Sequence, residues 1–469
     1  MADKRLSLLK DAPISKAINQ MSLPAIGGML VMAIYNVVDT MFVAWLGTDA
    51  TSATQVVMPL MMLTSAFGLA FGIGGGSYLS RLLGQSDLKK ADAAASVSLF
   101  SAVGFGILFT LLCLWRMEGV LELFGARGAV LEEAKAYGFH ILLGSTFAMG
   151  NMTLNNLLRS EGSAKLAMVG MGVGSILNVF LDPLFIFGFG WGIGGAALAT
   201  TLSQGVTFLI QLSHYRKGRS VIRIGLRHWA PNRELFGEIM KVGVPTFLRQ
   251  MLFSVSIGFL NNGAVLHGGN ELLAAVGIVS KAGMLPMYVI LGIGQGFQPV
   301  VGYNFGAGNK PRVLEALRYT LLAGAGVAGI SSLGMFLFGE WFLGIFKASE
   351  AVTAYGVRGL RMLAAAIVLM AVTNTIGIFY QALGKGLESL LLSVARQGLF
   401  YIPAIFLAPL HLGTDGILGA QAIADTLTFL LTLSLFLPYM AKDRLSLEMD
   451  SRPGPFRTDK PMEQAVGHA

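Results

Sequence analysis

The feature that most constrains the fold of this chain is a succession of long apolar stretches separated by short polar ones. Of its 469 residues, 54% are hydrophobic and only 13% are charged, whereas a soluble protein has about 25% charged residues. A soluble core cannot bury so much apolar surface, so the chain belongs in a lipid bilayer. Since a span needs about 20 apolar residues, we predict twelve membrane-spanning helices. They lie near residues 17–47, 51–80, 92–115, 135–158, 166–188, 192–215, 242–268, 272–302, 315–339, 352–383, 389–411 and 415–440.

The basic residues indicate how these helices are oriented. With the N-terminus in the cytoplasm, 26 of the 34 lysines and arginines fall in segments on that side. Because cytoplasmic loops are enriched in Lys and Arg, we expect both termini in the cytoplasm and a multi-pass protein of the inner or plasma membrane. The formal charge of +8 is spread over these short loops, so it does not indicate a nucleic-acid partner. The lone cysteine, Cys113, excludes an internal disulfide.

The two halves of the chain repeat one another. Pro24 and Pro245 align at an offset of 221 residues, and Gly72-Ile73-Gly74 aligns with Gly292-Ile293-Gly294. Six spans precede the basic stretch 216–241 and six follow it, so both halves have the same orientation in the membrane. We therefore predict an all-α membrane protein with two six-helix lobes related by a pseudo-two-fold axis along the membrane normal. The predicted divisions are a cytoplasmic N-terminal tail (1–16), an N-lobe (17–215), a cytoplasmic linker (216–241), a C-lobe (242–440) and a disordered cytoplasmic tail (441–469).

Two aspartates stand alone in long apolar segments. Asp39 is the only charged residue from Ala17 to Thr48, and Asp182 is the only one between Leu166 and Arg216. A carboxylate at membrane depth is energetically expensive and usually belongs to an ion pathway, a proton relay or a ligand counter-ion. The two residues are therefore the first candidates for a functional site.

Helical spacing places other polar groups beside these acids. Tyr35 and Asp39 are four residues apart, as are Asn178 and Asp182, so each pair shares a helix face. At about 1.5 Å per residue, Asp39, Asp182 and Thr200 all fall in the outer half of the bilayer and could meet there. Such a pair of acids could carry a proton at physiological pH, and with Asn178 and Thr200 it also offers oxygen ligands that suit Na⁺. The residues do not decide between the two ions.

These features together resemble the multidrug and toxic compound extrusion (MATE) family. The resemblance is carried by Tyr35-Asn36-Val37-Val38-Asp39, by the paired Gly-Ile-Gly runs and by the segment from Gln298 to Gly306, and it covers about residues 15–440. It is greatest to the DNA-damage-inducible-type prokaryotic branch. Another branch places a Glu in span 7 and an Asp in span 10. Here Arg249 is the only charge in span 7 and span 10 has no acid, so a C-lobe cation site of that kind is not expected.

The resemblance implies an antiporter that exports amphipathic, often cationic, compounds in exchange for H⁺ or Na⁺, with no other cofactor. We expect small organic cations or drugs as its partners and a functional monomer in the bilayer. By matching position, the resemblance implies a cation site formed by Asp39, Asn178, Asp182, Thr200 and Tyr137. It implies a drug cavity lined by Tyr35, Asn155 and Met171, and a bend of the first span at Pro24.

Other functions remain open at this stage. A lipid-linked saccharide flippase of a related fold is the main alternative, but its cavity would require several basic residues. Apart from Asp92 and Lys135 at their first positions, the N-lobe spans contain two acids and no Lys or Arg. A membrane scaffold or receptor fits the repeat and the buried acids less well. We expect no enzymatic activity, because the glycine runs lack the strand–turn–helix context of phosphate-binding loops. Asp425, in span 12, is the best functional candidate in the C-lobe, although an ion pair with Arg249 or Arg396 is an equally good interpretation.

Overall fold

The computed structural model describes residues 2–218, 220–346 and 348–450, and all regular elements within these ranges are helices. Two of the membrane helices contain a π-helical turn, one at Leu184–Gly188 and the other at Ala395–Tyr401. The α-helices are α1 Ala2–Lys10, α2 Ile14–Ala44, α3 Thr48–Gly84, α4 Leu88–Trp115, α5 Met117–Leu123, α6 Ala129–Ser160, α7 Ala164–Pro183, α8 Gly192–Arg216, α9 Arg233–Gly306, α10 Lys310–Ile345, α11 Glu350–Leu383, α12 Gly386–Val394, α13 Ile402–Leu412, α14 Thr414–Ala441 and α15 Arg444–Asp450.

These helices account for the twelve predicted spans. Ten helical stretches of the described chain are long and apolar enough to cross a membrane. One of them, α9, contains two crossings, because its backbone leaves the helical region at Gly269, with φ of 65° and ψ of −157°. A positive φ is adopted readily only by glycine. The twelfth crossing is α6, which has 32 residues but also carries charged side chains. The prediction of an all-α membrane protein with twelve spans is confirmed.

The buried apolar residues show how the two lobes are joined. We name the side where α2 begins and α14 ends the near side, and the opposite side the far side. The largest buried cluster lies on the near side and includes Ile18, Leu79, Phe297 and Leu383, so both lobes contribute to it. On the far side one cluster belongs to the N-lobe alone and another to the C-lobe alone. The lobes therefore share a core on the near side and have separate cores on the far side.

Glycines allow the closest contacts between the lobes. A Cβ atom at Gly84 would collide with the backbone carbonyl oxygen of Tyr303, and one at Gly306 would collide with that of Arg81. Each residue and its counterpart differ by 222 positions, 84 against 306 and 81 against 303. The glycine of each helix thus packs against the equivalent carbonyl of the other helix. This reciprocal contact shows that α3 and the second half of α9 meet across the pseudo-two-fold axis. Small residues at a helix crossing permit this close approach.

An ion pair also joins the lobes on the near side. Arg81 Nη1, on α3, lies 3.2 Å from Glu238 Oε2, on α9, and the Arg81 side chain is only 3% exposed. Ser77, one turn earlier on α3, donates a hydrogen bond to the backbone carbonyl of Gln381 in the C-lobe. These polar contacts reinforce the shared apolar core where the lobes meet.

The polar ends of the chain contain more structure than predicted. The segment predicted as an N-terminal tail contains α1, whose Leu9 is buried in the shared core, and α9 begins inside the predicted linker. The tail predicted to be disordered contains α15, which is anchored by the buried Leu445. The remainder of that tail, residues 451–469, lies outside the described residues.

Candidate functional site

The two lone aspartates meet in the N-lobe. Asp39 lies on α2 and is half-buried, while Asp182 is fully buried in the last turn of α7. Their carboxyl groups are in polar contact with each other. Since 143 positions separate residues 39 and 182, the contact depends on the packing of α2 against α7.

The local structure of α7 helps to present Asp182. Pro183 follows it directly and has no backbone N–H, so it cannot continue the hydrogen-bond ladder of the helix. The chain passes from α7 into the π-helical turn Leu184–Gly188 at this point. π-Helical turns are rare and frequently occur at functional sites. The sequence Asp-Pro therefore places a carboxylate beside a local irregularity of the helix.

Two uncharged residues complete the centre of the site. Asn178 Nδ2 donates hydrogen bonds to Asp182 Oδ1 at 3.2 Å and to Thr200 Oγ1 at 3.4 Å. Both Asn178 and Thr200 are buried. Two further oxygens in the centre, Asp182 Oδ2 and Asn178 Oδ1, are buried and accept no hydrogen bond from any described residue. A buried oxygen without a partner is energetically costly, so these atoms are suited to receive a proton or a cation.

Two tyrosines flank the carboxylates. Tyr35 lies one helical turn before Asp39, and its hydroxyl group is in polar contact with Thr200. Tyr137, on α6, is buried and close enough to Asp39 and Asp182 to interact electrostatically with both. Tyr35, which was predicted for the drug cavity, therefore also belongs to the polar cluster around the acids. We name Tyr35, Asp39, Tyr137, Asn178, Asp182 and Thr200 the acidic cluster.

The acidic cluster offers the kinds of ligand that a small cation requires. Neither carboxylate has a basic side chain as partner in the described part of the chain, so their mutual repulsion is relieved only by a proton or a metal ion. Carboxylate, amide and hydroxyl oxygens are ligands that hard cations prefer. Asp39, Asn178, Asp182 and Thr200 would hold Na⁺, and the two aspartates alone would hold a proton. The donor set fits either ion.

The remaining predicted residues lie nearer the near side. Asn155 is on α6, 18 residues from Tyr137 and therefore about 27 Å farther along the helix. It is buried, and its Nδ2 donates a hydrogen bond to the backbone carbonyl of Ala167, which ties α6 to α7. Met171 Sδ lies 3.7 Å from the position of a Cβ at Gly28, where α2 and α7 pack. The structure does not bring Asn155 and Met171 to the acidic cluster.

Pro24 lies inside α2, where it is buried, and the helix continues through it from Ile14 to Ala44. The residues around Pro24 pack against the glycine run of the C-lobe, since a Cβ at Gly292 would collide with Ile26. The Oγ of Ser22 donates a hydrogen bond to the carbonyl of Ile293 at 3.3 Å. The predicted bending point is therefore located where the first helix packs against the C-lobe.

In the C-lobe, Asp425 is paired with Arg396. Arg396 Nε donates a hydrogen bond to Asp425 Oδ1 at 2.7 Å, and Gln421 Nε2 donates to the same oxygen at 3.2 Å. Of the two partners left open by the sequence, the structure selects Arg396 rather than Arg249 for this ion pair. Among the described residues of the C-lobe there is thus no counterpart of the two unpaired acids.

Comparison with known proteins places the chain in a family. The family model described as MatE matches twice, over residues 24–184 and 245–407. The two matches begin 221 residues apart, as 24 and 245 show, which is the offset of the internal repeat. The chain belongs to the MATE family. It is therefore a transporter rather than an enzyme, and a multi-pass membrane protein.

Relatives of this MATE transporter are similar along its whole length. The Multidrug export protein MepA of Staphylococcus aureus (strain N315) is 28% identical over 453 residues, which are 96% of this chain and 98% of the relative. A solved structure described as the outward-facing conformation of a multidrug resistance MATE family transporter is 29% identical, with a TM-score of 0.87, and covers 95% of this chain and 98% of its own. A solved structure of a MATE in the bent conformation is 29% identical, with a TM-score of 0.88. The match covers 96% of this chain and 99% of the chain in that structure.

Sequence reasoning missed one feature of the structure. Arg81 and Glu238 join the lobes on the near side, but in the sequence they resemble ordinary charges at the ends of spans. Arg396, which the sequence offered as one of two possible partners of Asp425, lies inside the eleventh span and forms that pair.

Proposed function

We propose that this protein is a cation-coupled antiporter that exports amphipathic, cationic organic compounds by alternating access. The observation that carries the proposal is the contact between Asp39 and Asp182 on two different helices, with unpartnered buried oxygens beside them and no basic partner. The relatives include proteins named for multidrug export and multidrug resistance, which supports drugs as the substrates.

The acidic cluster would bind the coupling ion, either H⁺ or Na⁺. In its ion-free form it carries negative charge that attracts an organic cation, with Tyr35 offering an aromatic face. When the ion binds, that charge is neutralised and the attraction for the organic cation is lost. Competition for the same carboxylates thus links the entry of one cation to the departure of the other.

Alternating access requires two arrangements of the lobes. The lobes share a core on the near side and are separate on the far side, and this arrangement supports an outward-open state if the near side faces the cytoplasm. We propose that orientation, with both termini in the cytoplasm and the protein in the plasma or inner membrane as a functional monomer. Bending of α2 at Pro24 would alter the contact of the first helix with the C-lobe and change the shape of the cavity.

The coupling ion must stabilise one state more than the other, because a ligand shifts an equilibrium only by its differential affinity. Moving the populations from 1:99 to 99:1 requires about a 10⁴-fold difference, or about 5.5 kcal/mol. A carboxylate pair that is desolvated in one state and hydrated in the other provides such a difference, because burial strongly favours neutralisation.

The proposal is tested by dye efflux from proteoliposomes in which proton and sodium gradients are imposed separately. We expect wild-type protein to export a cationic dye when one of the two gradients is present. Asp39→Asn and Asp182→Asn should each reduce gradient-driven export about tenfold or more, since charge-assisted interactions contribute about 1.5–3 kcal/mol. Asp49→Asn removes an exposed acid from the same lobe and serves as the matched control, with wild-type export expected.

Two results would contradict the proposal. The first is Asp182→Asn protein that exports dye with wild-type dependence on the imposed gradient. The second is wild-type protein that exports dye at equal rates with and without either gradient, which would show that the transport is not coupled to these ions.

A further inference from the structure

The centre of the C-lobe contains a second polar cluster with the opposite charge. This cluster includes the ion pair between Arg396 and Asp425. The Asp425 side chain is 2% exposed and the Arg396 side chain is 19% exposed. Arg396 lies on the π-helical turn Ala395–Tyr401, and Tyr401 is close enough to both charges to interact with them electrostatically. The guanidinium group of Arg396 therefore retains partial access from outside the pair.

A second arginine, Arg249, lies near Arg396. Arg249, Leu252 and Ser256 follow the spacing i, i+3 and i+7, so they lie on one face of α9. Leu252 packs against Gly398, with methyl carbons 3.2 and 3.4 Å from the position of a Cβ there. Ser256 Oγ donates a hydrogen bond to the carbonyl of Gln397 at 3.1 Å. This face of α9 thus packs on the π-helical turn that carries Arg396, and Arg249 interacts electrostatically with that residue.

Both arginines lie well inside the membrane. Gly386, the first residue of α12, packs against the backbone of Lys241 on α9, so these two residues lie at one level towards the near side. Arg249 follows Lys241 by eight residues and Arg396 follows Gly386 by ten, so they lie about 12 and 15 Å deeper at 1.5 Å per residue.

The cluster has an excess of positive charge. Asp425 is engaged by Arg396 and Gln421, and no acid among the described residues forms an ion pair with Arg249. An unpaired guanidinium at membrane depth is energetically costly and usually marks a functional site. Two guanidinium groups beside a single carboxylate leave donors for a second one, and arginine binds carboxylates through paired, parallel hydrogen bonds.

We propose that Arg249 and Arg396 form a binding site in the C-lobe for the carboxylate of a transported compound. The inference rests on the proposed export function and narrows its substrate class, because it adds zwitterionic amphiphiles to the organic cations attracted by the acidic cluster. The positive end of such a compound would be attracted by the N-lobe acids and its negative end by the C-lobe arginines.

Two dyes that differ only at one carboxyl group test this site. Rhodamine 110 carries a free carboxylate, and rhodamine 123 is its methyl ester. Binding of each to the full-length protein in lipid nanodiscs is measured by fluorescence anisotropy, and export of each is measured in proteoliposomes. The variants are Arg249→Gln, Arg249→Lys and, as matched control, Lys281→Gln, which removes an exposed positive charge from the same lobe.

We expect Arg249→Gln to weaken binding of rhodamine 110 about tenfold or more, while binding of rhodamine 123 stays within about twofold of wild type. Arg249→Lys should weaken binding of rhodamine 110 by a smaller factor than Arg249→Gln does, since lysine retains the charge but not the paired donors. It also provides the test if Arg249→Gln does not fold. Lys281→Gln should bind both dyes like wild type.

The inference would be overturned if the Arg249 variants bound both dyes more weakly by the same factor, or if they bound rhodamine 110 as tightly as wild type does. Wild-type protein that exports rhodamine 123 but does not bind rhodamine 110 would overturn the inference and leave the proposed export function intact. Wild-type protein that neither binds nor exports either dye would contradict both the inference and the proposed export function.

Discussion

The ion pair between Arg81 and Glu238 should stabilise the arrangement in which the lobes are joined on the near side. Arg81 belongs to α3 of the N-lobe and Glu238 to α9 of the C-lobe, and their side chains are 3% and 21% exposed at an N–O distance of 3.2 Å. If the lobes separate on the near side during transport, this pair must break. Glu238→Gln removes the charge and retains the shape of the side chain, so it tests the contribution of the pair to that equilibrium.

The free energy lost in Glu238→Gln follows from the burial of the two side chains in the pair. Exposed ion pairs contribute about 0–1 kcal/mol, whereas removal of one partner from a buried pair costs about 3–5 kcal/mol. Here Arg81 is buried but Glu238 is partly exposed and also contacts Lys241, so an intermediate loss of about 2 kcal/mol is expected. This corresponds to a roughly 30-fold change in the ratio of near-side-closed to near-side-open molecules.

Thiol labelling from the near side measures that ratio. Replacement of Cys113, the single cysteine of the chain, by serine provides the background, and Ser77→Cys places a thiol in the buried contact between the lobes. When opening is faster than labelling, the labelling rate follows the open population, so Glu238→Gln should raise it about 30-fold.

A matched control separates this effect from a general loss of charge. Lys385 and Glu388 form a pair at 3.3 Å, with side chains 15% and 30% exposed, but both belong to the C-lobe. Glu388→Gln should leave the labelling rate of the Ser77→Cys thiol unchanged. An unchanged rate in Glu238→Gln, or an equal rise in both variants, would refute the reasoning.

Three further outcomes are expected. Gly84→Val should cost about 1–3 kcal/mol by overpacking, because its Cβ would collide with the Tyr303 carbonyl, and a lower thermal midpoint in detergent together with faster near-side labelling would show it. Asn155→Ala should lower stability by about 0.5–1.5 kcal/mol, since it removes the hydrogen bond that ties α6 to α7, while the ion dependence of export stays as in wild type. The hydrogen bond from Lys310 at 2.6 Å lowers the pKa of the Asp443 carboxyl below its ordinary value, so its stabilising effect is present above the unfolded pKa of about 3.9 and is lost as the pH falls through the folded value. Protection of the following helix from hydrogen exchange, measured relative to the intrinsic exchange rate at each pH, should therefore decrease in acid, and Asp443→Asn should remove that pH dependence.

Much of the architecture could be predicted because it depends on local composition. Apolar runs of sufficient length specify membrane helices wherever they occur, and the alignment of Pro24 with Pro245 revealed the duplicated halves without any contact being known. The importance of Asp39 and Asp182 was also visible, since a charge in an apolar segment is unfavourable whatever its neighbours are. Their role in ion coupling remains a prediction.

The sequence alone determined that this is a helical membrane protein with twelve spans, two matching halves and a pair of acids inside the first half. Only the tertiary structure decided that Asp39 touches Asp182, that Asp425 pairs with Arg396 rather than Arg249, and that Arg81 joins the lobes through Glu238. The reason is that hydropathy and helical period are set by neighbours along the chain. A contact between helices far apart in sequence depends instead on how those helices rotate and slide against one another, and that depends on the packing of small and large side chains along the whole interface.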